Sequence, residues 1–198
     1  DALNRYVDLL LGKLDEKGLF RANEMFADIR VGSHVEQSED VSVITHAWLI
    51  KRLQQAIDIA IWSDIEDADI GRWTDARERM IAAFHDHLVV SGDIPYAADV
   101  LYADENRLEG KSQAAQLSAI EAGLFEKDHA SELLSLFFPA PAGQAPETIT
   151  PWNNPTYLYR SIKALSDHRM GERAMAHLKW RQSPYLPGSP DNLTPENL

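Results

Sequence analysis

The sequence predicts an all-α fold built from αα-hairpins. Three observations support this. Apolar residues recur at helical spacing in seven separate stretches. Glycine, proline and capping residues punctuate those stretches. No pair of segments alternates long enough to make a convincing sheet, since Val89-Val90 and Ile94-Pro95-Tyr96 are too short.

In chain order, Leu3, Tyr6, Val7, Leu10 and Leu14 form the first stripe, which Gly18 is expected to end. A second helix over about 41–61 turns Ile44, Ala47, Trp48, Leu53, Ile57 and Ala60 inward. It is apolar around much of its girth, as a deeply buried helix would be. A break at 66–71 precedes a third helix over about 72–89, which buries Trp73, Ala76, Met80, Ala83, Phe84 and Leu88. Ser112 reads as the N-cap of the fourth helix, and Gly123 ends it. Asp128 opens a fifth, with Leu133, Leu134, Leu136 and Phe137 on its apolar face. Asn154 and Pro155 start a sixth, with Leu158, Ile162 and Leu165 as its stripe. A seventh follows Gly171 and carries Ala174, Leu178 and Trp180.

Connector length sets the architecture. Short turns join helices two and three, four and five, and six and seven. Long segments (about 18–40, 90–111, 139–153, and the tail from 182) lie between those pairs. If each hairpin runs out and back, the long segments emerge at one end, where binding and catalysis usually sit. The hairpins share no fixed period, so tetratricopeptide and ankyrin arrays fit poorly. They suit an α/α toroid, in which inner and outer helices alternate around a ring. The reading is of one helical domain over 1–198.

Composition narrows the partners. The formal charge is −12, which repels nucleic acid and favours a neutral ligand. No apolar run has the length of a membrane span. Cysteine is absent, which excludes disulfides, zinc ribbons and thiol catalysis. His85 and His87 face different sides of their helix, and Glu126-x-x-His129 has no second copy, so no metal site and no cofactor are expected. The opening Asp1 in place of Met points to a processed form or an excised piece.

Several stretches resemble the α-L-rhamnosidase-type glycoside hydrolases. They are "LDEKGLF" with "MFADI", the pair "VSVITHAWLIKRLQQAIDIA" and "RWTDARERMIAAFHDHL", then "SQAAQLSAIEAGL", and "ITPWNNPTYLYRSIKAL" with "GERAMAHLKW". The resemblance implies a six-hairpin (α/α)6 toroid that cleaves a terminal deoxy-sugar with inversion. It also implies the later half of such a domain. About seven helices stand here against about twelve, and the family's acidic segment with the proton donor has no counterpart. A missing portion or a second copy of the chain would then complete the ring.

Inversion needs two carboxyl groups roughly 6.5–9.5 Å apart. The resemblance points to Asp28 in "FADIR" as an acidic loop residue. It also points to Glu196 in "NLTPENL" as the base, with Thr194 nearby. Asp28 could instead pair with Arg30, and Glu196 could be a solvated tail residue. Glu24 and Asp99 are further candidates by loop position. Trp152, held between Pro151 and Pro155, offers an indole plane to a sugar's C–H face, and Asn153 and Asn154 offer amides to its hydroxyls. The competing role for Trp152 is a hydrophobic lid. Trp180 and Tyr185 extend the substrate-binding set, and Tyr96 and Tyr102 add loop aromatics. Trp48, Trp62 and Trp73 are expected in the core. The alternative function is a non-catalytic helical-hairpin interaction module.

Overall fold

A computed structural model describes residues 2–21, 40–66, 68–103, 107–140, 146–151 and 155–182. Its helices are α1 (Ala2–Leu11), α2 (Val43–Trp62), α3 (Ile70–His87), α4 (Gln113–Glu121), α5 (Lys127–Phe137), α6 (Pro155–Asp167) and α7 (Gly171–Gln182). Helix α2 packs on α3, α4 on α5 and α6 on α7. A second row of contacts runs α2 to α4 to α6. Thus α2, α4 and α6 form an inner wall, each backed by an outer helix. Helix α1 packs on α2 and has no hairpin mate among the described residues.

The sequence explains which helices lie inside. Helix α2 buries residues on every side, including Val43, Ile44, Ala47, Ile50, Leu53, Ala56 and Ile57. Every residue of α4 from Gln113 to Ala119 is buried, and its alanines let neighbouring backbones approach closely. The outer helix α3 shows the ordinary single stripe of Trp73, Ala76, Met80, Ala83 and Phe84. Each fully buried Leu, Ile or Phe removes enough apolar surface to contribute about 1.5–3 kcal/mol.

Helix ends follow capping chemistry. The Ser42 hydroxyl accepts from the Thr45 N–H, Asp69 from Arg72 and Ser112 from Ala115. Gly123 follows α4 with φ +71°, a left-handed end that glycine adopts without strain. Two boundaries and one burial differ from expectation. Helix α1 stops at Leu11, and Gly18 instead serves the next turn, with φ +85°. Helix α5 begins at Lys127 after Glu126, whose side chain makes no capping bond, so Asp128 lies within its first turn. Tyr6, placed on the buried stripe, is half exposed.

Short strands are present, contrary to the sequence reading. Strands β1 (Val41–Ser42), β4 (Val100–Tyr102) and β5 (Arg107–Glu109) form an antiparallel sheet in the order β1-β4-β5. Strands β2 (Val89–Val90) and β3 (Tyr96–Ala97) form a separate antiparallel pair. Two or three residues per strand are too few to show period-two alternation. Tertiary pairing therefore defines them.

Trp62 is a second correction. It is 88% exposed, at the last turn of α2, while Trp73 is fully buried and Trp48 is partly buried against the core. The apolar girth of α2 continues one turn past the layer that can cover it.

Candidate functional site

The segments leading into the three inner helices meet at one rim. Val41 pairs with Leu101 and Ser42 with Val100, which ties the start of α2 to the segment before α4. Ser112 and Thr150 form a parallel bridge. The Thr150 N–H donates to the Lys111 carbonyl at 2.8 Å, and the Gln113 N–H donates to the Thr150 carbonyl at 3.0 Å. That bridge joins the start of α4 to the lead-in of α6.

Two buried carboxylates and one amide organise this rim. Asp40 accepts from the Ala103 N–H at 3.1 Å. Asp99 sits at the junction of α2, β5 and α4. Its carbonyl accepts from the first N–H of α2, at Val43, and its N–H donates to the Glu109 carbonyl. One carboxylate oxygen, Oδ1, accepts from both the N–H and the hydroxyl of Ser112. The other, Oδ2, is buried without a hydrogen-bond partner. Burial raises the Asp99 carboxyl to about 6, and the Ser112 bonds offset only part of that. The Gln116 amide stands in for a strand neighbour. It accepts from the Ala97 N–H at 3.0 Å and donates to the Ala97 carbonyl at 2.7 Å. An amide supplies donor and acceptor together, so one side chain satisfies both backbone groups of an edge residue. Gln116 escaped the sequence reading, although a glutamine in a helix otherwise filled with buried alanine was a usable signal.

On the outer flank of the rim lies a cavity of about 300 Å³ between the ends of α5 and α7 and the 146–151 segment. Trp180, His177, Phe138, Glu147, Pro146 and Pro151 help to line it. His177 packs edge-on to Phe138, with ring centroids 5.4 Å apart, and lies 5.7 Å from the Trp180 ring. Arg181 stacks over Trp180 at 4.6 Å. Burial, with Arg181 adding to it, lowers His177 to about 4, so the ring is neutral at physiological pH.

A larger cavity of about 620 Å³ lies along the inner wall. Glu121 on α4 accepts from Arg160 on α6 at 2.7 and 3.0 Å and from Lys51 on α2 at 3.0 Å. Arg160 also lies over the Trp48 and Tyr157 rings, at 5.1 and 4.9 Å. Burial raises the Glu121 carboxyl, but Arg160 and Lys51 outweigh it and hold the group below its usual range. These side chains satisfy one another across three helices, which is the chemistry of a wall. No local pattern marked them, because the partners are far apart along the chain.

Of the residues expected to bind or cleave a saccharide, Trp180 lines the flank cavity, 38% exposed, together with Pro151, the residue before Trp152. Asp99 lies in the rim and is 5% exposed. Asp28, Glu196, Trp152, Asn153 and Tyr185 lie outside the described residues, as do Glu24, Asn154 and Thr194. Of the Glu126-x-x-His129 spacing, the structure shows the histidine bonded to backbone. The His129 Nε2–H donates to the Pro95 carbonyl at 2.7 Å.

A wall of parallel inner helices, each backed by an outer partner and fed by connectors on one rim, is part of an α/α toroid. This is the six-hairpin class of glycosidase domain. Residues 1–137 match the family described as the bacterial alpha-L-rhamnosidase 6 hairpin glycosidase domain, and the chain belongs to that family. Its fold is similar to that of a GH78 family rhamnosidase of Bacillus sp. GL1, with a TM-score of 0.73 at 14% identity. That likeness covers 90% of this chain and 18% of the other. A rhamnosidase from Klebsiella oxytoca, solved with rhamnose bound, matches with a TM-score of 0.63 at 18% identity, covering 89% of this chain and 31% of that one. The chain thus spans less than a third of the length of either. No curated protein matches it.

Proposed function

We propose that the chain forms part of an α-L-rhamnosidase-type glycoside hydrolase that removes a terminal deoxy-sugar from a neutral saccharide with inversion. The observation that carries this reading is the rim. The N-terminal ends of α2 and α4 and the lead-in of α6 are hydrogen-bonded into one platform, in a chain of the rhamnosidase family. In this reading Glu196 draws a proton from the attacking water, and Asp28 supplies a second carboxyl near the sugar. Trp152, Trp180 and Tyr185 pack against C–H faces, and Asn153 binds hydroxyls. The family name counts six hairpins, while the described helices make three and one unpaired outer helix. The remaining hairpins, elsewhere in the same protein or in a second copy of this chain, complete the ring.

Hydrolysis of an aryl α-L-rhamnoside by the full chain tests the reading. Glu196→Gln and Asp28→Asn should each lower kcat at least about a hundredfold, the scale of a positioned acid or base. NMR of the first-formed sugar anomer reports inversion. Activity unchanged in both variants removes these assignments.

A second reading, a non-catalytic interaction module, draws on the exposed Ile61 and Trp62 at the end of α2 away from the rim. Absence of hydrolysis together with a partner lost on Trp62→Ser would favour it.

A further inference from the structure

The flank cavity between α5 and α7 carries an inference of its own. His177 is 6% exposed and lines this cavity, yet its ring makes no hydrogen bond among the described residues. The other buried histidine, His46, and the half-buried His129 are both paired. His46 bonds Phe20 and Met80, and His129 bonds Pro95. The nitrogens of His177 are not sealed from water, so they face the cavity, where a ligand hydroxyl can take the place of solvent.

The rest of the lining says what that is. Trp180 and the rings of Pro146 and Pro151 offer flat apolar surface. Glu147 on the lining and Arg181 over Trp180 balance in charge. A cavity of about 300 Å³ lies at the small end of ligand sites and holds one ring rather than a chain. An anion would gain no net positive charge here, because Glu147 offsets Arg181 and burial keeps His177 neutral down to about pH 4. Water alone would satisfy the imidazole but would leave the aromatic and proline faces wet.

We propose that this pocket binds one neutral sugar unit, with His177 hydrogen-bonding a ring hydroxyl while Trp180 packs against the sugar's C–H face. The proposal rests on the reading of the rim as a saccharide site. It places Trp180, a sugar-packing residue of that reading, in a subsite on the flank of the rim beside Gln113 at the start of α4, and it assigns His177, a residue that takes no part in the proposed hydrolysis.

The test is a titration of the full chain with L-rhamnose, and separately with D-glucuronate, followed by NMR of the Trp180 indole N–H and the His177 ring protons. Rhamnose should shift both signals together, and glucuronate should shift neither. His177→Phe keeps a ring between Phe138 and Trp180 but removes the nitrogens. It should weaken rhamnose binding about tenfold, the worth of one hydrogen bond. Should that variant fail to fold, Trp180→Ala, a substitution at a partly exposed position, should give a similar loss. Glu196→Gln should bind at this pocket as the parent does, so loss of the hydrolysis reading and loss of this one are separately visible. His177 signals unmoved at saturating rhamnose, or parent-like binding by His177→Phe or Trp180→Ala, would overturn the proposal.

Discussion

Asp99 and Ser112 are locked together by two bonds to a single oxygen. Oδ1 of Asp99 accepts the Ser112 N–H at 3.0 Å and the Ser112 hydroxyl at 2.6 Å, while Oδ2 is buried without a partner. The same serine hydroxyl oxygen accepts from the Ala115 N–H and so caps α4. One carboxylate therefore fixes the start of an inner helix, and its backbone carbonyl fixes the start of another through Val43.

The first prediction concerns pH. The Asp99 carboxyl titrates near 6 in the fold, against 3.8 when unperturbed. A raised pKa means that its contribution to stability is complete below about 3.8 and is lost as pH rises through about 6. The ionised form costs on the order of 3 kcal/mol at neutral pH. Asp99→Asn keeps an oxygen for Ser112 and cannot ionise. Its Tm relative to the parent should climb between pH 4 and pH 8. A constant difference across that range would refute the assignment.

His46 should be needed for stability. The Phe20 N–H donates to Nδ1 at 3.3 Å, so the proton resides on Nε2, which donates to the Met80 carbonyl at 3.0 Å. His46→Leu leaves both backbone groups unpaired in the core, at a cost of about 2–4 kcal/mol in urea unfolding. Burial, partly countered by the Met80 bond, lowers this ring to about 4. The benefit of a neutral His46 is complete above about 6.5 and fades as pH falls through about 4. The His46→Leu variant should lose less stability than the parent over that acid interval.

The inner wall should show coupling. Arg160 and Glu121 side chains are 13% and 20% exposed, so water screens the pair only in part. Glu121→Gln should cost about 2–3 kcal/mol, because it leaves two cations without their shared carboxylate. A double-mutant cycle with Arg160→Gln should return an interaction energy above about 1 kcal/mol. Additive single effects would mean that the pair is not coupled.

Gly18 should resist substitution. Its φ of +85° suits glycine, and an added Cβ would lie 3.1 Å from the Arg79 carbonyl oxygen. Both effects act in the same direction, so Gly18→Ala should destabilise by more than about 1 kcal/mol in thermal unfolding. Gly71→Ala meets nothing within 4 Å and serves as the control.

Trp62 should account for much of the acrylamide-quenchable emission, since its ring is 88% exposed and that of Trp73 is fully covered. Trp62→Ser should reduce quenching markedly and change stability by less than about 0.5 kcal/mol. Unchanged quenching would place the ring in contact with other chain segments.

The sequence by itself determined the helices, most of their caps and the pairing into hairpins. Those features depend on residues three or four apart and on the length of the turn between neighbours. Ser42, Ser112 and Gly123 can be read that way because a cap is a local bond. The tertiary structure alone decided the rest. The two-residue strand at Val41 and Ser42 exists only through partners some sixty positions away, as with Val41 and Leu101. Whether the apolar end of α2 is covered depended on its neighbours, and Trp62 was left outside. Asp99 carried no more sequence signal than any loop carboxylate until folding buried one of its oxygens without a partner. His177 and Trp180 became a pocket only when the ends of two outer helices and a proline-rich segment closed around them. Local bonds are encoded by adjacency, whereas desolvation and long-range pairing follow from which surfaces the packed helices bring together.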